Sequence, residues 1–86
     1  MATVVEAITA EIERLRVDDL APGLAQLAIT LAASVDEPGG PTAKANAARE
    51  LRAVMEDLRK LAPVAAEHDR LDELTKKRED RRARPA

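Results

Sequence analysis

Residues 20–61 read LAPGLAQLAITLAASVDEPGGPTAKANAARELRAVMEDLRKL, and how this stretch divides decides the fold. From Leu20 to Ala33 it carries no charged residue. Leu20, Leu24, Leu27 and Leu31 form one helical stripe, and Ala21, Ala25, Ala28 and Ala32 form a second beside it. DEPGGP at 36–41 holds two prolines and two glycines and cannot continue a helix. Beyond it Thr42 is a natural N-cap, and Ala47, Leu51, Val54, Leu58 and Leu61 give the inner face of a further helix. Two helices joined by a six-residue break predict a hairpin. The nearly uncharged first arm of that hairpin should be its most buried element.

Working outward, Val5, Ile8, Ile12 and Leu15 mark an N-terminal helix over about residues 3–17. Asp18 or Asp19 would cap the helix that follows, with Pro22 tolerated in its first turn. On the other side, Pro63 predicts a stop. The spacer to His68 then leads to a charged helix from about Asp69, held only by Leu71 and Leu74. Past Thr75 nothing apolar remains, so a frayed, disordered end is expected. The predicted class is all-α: a helical hairpin with an N-terminal helix packed alongside and a charged C-terminal helix and tail. As domains this gives a helical oligomerisation core over 1–62, a linker over 63–68, and the charged helix with its basic tail over 69–86.

Composition narrows the function. A chain of 86 residues makes one small domain whose single core needs a staple or a partner. With no Cys and a single His, neither a disulfide nor a zinc site is available. There is no Phe, Trp or Tyr, so modules that stack bases on aromatic rings are excluded. No apolar run has the length of a membrane span or the form of a signal peptide, so an intracellular protein without membrane contact is expected. Three helices cannot cover both stripes of residues 20–33. Self-association through Leu24, Ala25, Leu27, Ala28, Leu31 and Ala32 is therefore expected.

No catalytic set emerges. His68 has no Cys to activate, and the only Ser, Ser34, is distant in sequence. DEPGG lacks the lysine and spacing of a phosphate loop. Neither a catalytic residue nor a metal or cofactor is expected. Charge is more informative. Residues 1–37 set two cations against seven acids, net −5, whereas residues 74–86 set six cations against two acids, net +4. The tail cations Lys76, Lys77, Arg78, Arg81, Arg82 and Arg84 read either as an arm for phosphates or acidic surfaces, or as a solvated helix end favoured by the helix dipole. Arg49 and Arg52 could also face DNA. Against a helix-turn-helix stand the length of DEPGGP and the uncharged helix before it.

Three stretches taken in order carry a family resemblance: LAASVDEPGGPTAKANAARELRAVMEDLRKLAP at 31–63, the short spacer, and DRLDELTKKREDRRAR at 69–84. This order resembles the small terminase subunits of actinobacterial phages and prophages, over about residues 20–84. Thr42–Ala43–Lys44, the Leu61–Ala62–Pro63 stop and Leu71–Asp72–Glu73–Leu74 are the best-matching points. The resemblance implies a non-enzymatic protein that assembles as a ring, recognises viral double-stranded DNA and regulates the large terminase subunit, which holds the ATPase and nuclease. It would work in the cytoplasm of the bacterial host. Lys44, Arg49 and Arg52 would be DNA or partner contacts, and the 71–84 segment, with Leu71, Asp72 and Leu74, a contact for the large subunit or DNA. The alternatives are a generic helical adaptor and a small DNA-binding regulator using the basic tail.

Overall fold

The computed structural model describes residues 2–83, and these form α1 (Val4–Leu15), α2 (Pro22–Asp36) and α3 (Pro41–Ala83), with no strand. The all-α class and the α2–α3 hairpin are as expected, with α1 packed alongside.

Each helix end has a local cause. Thr3 Oγ1 accepts the Glu6 amide at 3.1 Å, a side-chain N-cap for α1. The next free amides, of Val4 and Val5, both donate to the Asp36 carboxylate at 2.9 Å. Asp36 is the last residue of α2, so one side chain satisfies the start of α1, favours its positive dipole end and ties two helices together. Asp36→Ala should therefore lower stability by about 1–2 kcal/mol, the upper range for a lost cap. Chemical denaturation would check this, and an unchanged midpoint would refute the clasp.

Helix α1 closes where Arg16 turns left-handed at φ 58°, its amide shared between the Ile12 and Glu13 carbonyls. The turn drives Val17 fully into the core. Neither Asp18 nor Asp19 caps α2. Its N-cap is Ala21, without a side-chain hydrogen bond, and Pro22 opens the helix. A proline there needs no partner for its missing N–H.

The two stripes of α2 share the burial unequally. Ala25, Ala28 and Ala32 are buried, Leu24 and Leu31 are half-buried, and Leu27 is exposed, as is Leu20 in the preceding turn. The small stripe lies inward because α2 packs against both α1 and α3, and alanine lets the backbones approach closely. The large buried side chains come instead from α3, with Leu51, Val54, Met55 and Leu58, and from Ile12 and Val17. No polar or charged residue is buried among the described residues.

Helix α3 also corrects the expected stop and linker. It runs unbroken for 43 residues, through Pro63 and on to Ala83, about 64 Å at 1.5 Å per residue. An interior proline removes one hydrogen bond and crowds the carbonyl four residues back. Here packing bridges the defect: Leu58 before it and Ala65 after it are both buried, while Pro63 itself is exposed. Two ion pairs fasten α3 to α1 and to the turn that follows it, Arg59 to Glu11 at 2.8 Å and Arg16 to Asp69 at 3.3 Å.

Candidate partner and nucleic-acid interface

The inner seam of α3 explains where the functional surface begins. Ala47, Leu51, Val54, Leu58, Leu61 and Ala65 alternate at four and three positions, the spacing that keeps one face against neighbouring helices. Continued at the same spacing, the seam becomes His68, Asp72, Thr75 and Glu79. No apolar residue is left to hold α1 or α2, and from Arg70 to Ala83 every residue is exposed. This part of α3 is a helical arm standing off the body, and the molecule measures 68 × 24 × 18 Å. The disorder expected past Thr75 is replaced by helix as far as Ala83, and the rest of that expectation lies outside the described residues.

The arm holds its helical form with local means. Thr75 Oγ1 donates to the Leu71 carbonyl at 3.0 Å, and Arg70 pairs with Glu67 at 3.0 Å. Asp72 and Glu73 precede Lys76 and Lys77 by four positions, the favourable acid-before-base order on a helix. Arg81 and Arg82 sit in the last turn, where the dipole favours cations.

Five of the six tail cations, Lys76, Lys77, Arg78, Arg81 and Arg82, share this arm and are exposed. Arg84 lies outside the described residues. The other three expected contacts are elsewhere. Lys44 is half-buried near the start of α3, and Arg49 and Arg52 are exposed on its third and fourth turns. Arg52 borders a shallow apolar groove with Val4, Ile8, Val35 and Met55. Arg52 and Lys76 are 24 positions apart along the helix, about 36 Å. The expected cations thus form two separate sets, one on the body and one on the arm.

Leu71 and Leu74 are 51% and 46% exposed on the arm, beside an exposed Asp72. They are available to a partner. Of the expected interface on α2, Leu27 is 46% exposed, and Leu24 and Leu31 offer their edges. Ala25, Ala28 and Ala32 are not available, being consumed by the core of the subunit itself.

At the root of the arm, Arg16, Asp18, Asp19, Leu20, Ala65, His68, Asp69 and Asp72 line a hollow between the α1–α2 turn and α3. Sequence reasoning did not find this elbow, since its two halves are some fifty residues apart. It is acidic and open. Among the described residues no three His, Cys, Asp or Glu side chains are grouped to hold a metal ion, and no helix is long and apolar enough to cross a membrane. No protein-family model, curated protein or solved structure significantly matches the chain.

Proposed function

We propose that this chain is a non-catalytic, self-associating component of a viral DNA-packaging machine, of the small terminase kind that its sequence resembles. In that role it contacts double-stranded DNA and engages a large ATPase and nuclease subunit in the host cytoplasm. The observation that carries this reading is the arm. Five cations stand on one helix clear of the body, beside two exposed leucines. A cationic helix without aromatic residues suits phosphate contact rather than base stacking. The leucines suit a protein partner, so the same element serves both DNA and the machinery acting on it.

DNA binding is tested by titration with salt. If the arm neutralises phosphates, affinity falls on a log–log plot with a slope of about −0.9 for each phosphate engaged. Deleting residues 76–86 should remove most of that slope while leaving the helices of the body intact. A truncated chain that binds DNA as before would assign the contact to Arg49 and Arg52 or abolish the arm's role. The helical-adaptor reading is favoured by Leu71 and Leu74 alone, and it predicts no DNA binding at any salt concentration. Pull-down of a large terminase subunit from the same genome separates the packaging role from that of a free-standing regulator.

A further inference from the structure

We propose that the arms of two copies pair side by side and antiparallel, with Leu71 of each chain against Leu74 of the other. This deepens the reading that copies associate and does not depend on DNA packaging. Val64, Glu67, Leu71, Leu74, Arg78 and Arg81 recur at alternating spacings of three and four, and all six are exposed. They make one stripe along the arm. At 100° per residue Leu71 lies about 120° around the helix from the buried Ala65. The stripe is therefore turned away from α1 and α2 of its own chain. Because α3 is one continuous helix, it cannot fold back to cover its own leucines.

The order of charge along the stripe selects the occupant. Glu67 lies on the root side of the leucines, and Arg78 and Arg81 lie on the tip side. A parallel second arm would set Glu67 against Glu67 and Arg78 against Arg78, which is unfavourable at both ends. An antiparallel arm with Leu71 opposite Leu74 sets Glu67 opposite Arg78 twice, and Val64 opposite the aliphatic stem of Arg81. The pattern is self-complementary under a two-fold axis, as an isologous contact requires. Docking on the acidic α1–α2 body of another copy would satisfy the cations but repel Glu67, Asp72 and Glu73. On one flank the pairing brings Arg70 near Lys77 of the other copy. Arg70 already engages Glu67 at 3.0 Å, so this repulsion is small in water beside two leucine layers.

The chain has no cysteine, so introduced thiols report proximity cleanly. Glu67→Cys and Arg78→Cys chains, both changed at exposed positions, are mixed in a thiol redox buffer at micromolar concentration. The expected product is the 67–78 disulfide, well above its statistical share, with little 67–67 or 78–78. Statistical yields, or a preference for 67–67, would overturn the antiparallel pairing. Preferential capture of Arg78→Cys by a Leu27→Cys chain would overturn it in favour of the body. Charge reversal is the second arm of the test, with circular dichroism to verify folding. Glu67→Arg or Arg78→Glu alone should lower self-association in sedimentation, and the two together should restore it. Loss without restoration by the double variant would contradict the pairing. DNA binding is measured separately on the unsubstituted chain, and its absence there would count against the packaging role, with the disulfide pattern still deciding the pairing.

Discussion

Ala28→Glu is expected to leave the chain unfolded in water at room temperature. Ala28 has no exposed surface, and the core around it contains no buried polar or charged residue. Glutamate there must find room for two further carbons and two oxygens where α2 meets its neighbours. Overpacking of that kind costs roughly 1–3 kcal/mol. The carboxylate would have no buried partner, adding a penalty of at least about 2 kcal/mol even if it takes up a proton. The sum, at least roughly 3–5 kcal/mol, reaches the ~5 kcal/mol that forms the lower bound of domain stability. The control is one position away. Leu27 is 46% exposed, so Leu27→Glu should change stability by less than about 1 kcal/mol. Far-ultraviolet circular dichroism of the two variants reads the difference. Native helicity in Ala28→Glu would show that the alanine stripe does not face inward.

Pro63→Ala is expected to act in the opposite direction. An interior proline is about 3 kcal/mol less favourable than alanine in a helix. Against this, proline restricts the unfolded chain by up to about 1 kcal/mol. The net gain is about 2 kcal/mol. In a chain of this size it should raise the melting temperature by about 10 °C, at roughly 4–8 °C per kcal/mol. Were Pro63 the end of a helix followed by a linker, its replacement would leave stability unchanged or lower it. Thermal melting followed at the helical signal distinguishes the two.

Much of the fold is legible in the residues. The stripe Val5, Ile8, Ile12 and Leu15 and the seam from Ala47 to Leu61 lie where their periodicity places them. The break is shorter than DEPGGP, because Asp36 ends α2 and Pro41 opens α3, so it covers only 37–40 and Thr42 is not the N-cap. Three features were not legible, for separate reasons. Periodicity identifies a face but not which of two adjacent apolar faces turns inward, so the leucine and alanine stripes of α2 cannot be ranked from the residues alone. Met55, adjacent to Val54, is buried because α3 packs on α2 and on α1 and so needs a face wider than one stripe. Long-range partners leave no local trace. Asp36 clasps α1 across more than thirty residues, and Arg16 pins Asp69 from a turn that looks like a mere connection.

The arm is the most instructive discrepancy. Pro63 and the scarcity of apolar residues after it suggested a linker and a frayed tail, both inferences from single residues. Alternating acids and bases are sound helix formers, and a helix already nucleated by Leu51–Leu61 propagates at little further cost. As for the site, the cations and leucines of the arm were recognisable from composition. Their separation from Arg49 and Arg52, and the acidic elbow at the arm's root, depend on how the helices cross.

DNA contact, partner contact and arm pairing all presuppose that α3 continues rigidly through Pro63. The most direct measurement places spin labels at exposed Lys60 and Arg82, each replaced by Cys. The labelled chain is diluted into unlabelled chain so that only pairs within one molecule are read. The two sites are 22 positions apart on unbroken helix, which places their backbones about 33 Å from each other. A narrow distance distribution near that value is the predicted result. A broad distribution at clearly shorter distances, as a chain broken at Pro63 would give, would contradict the arm.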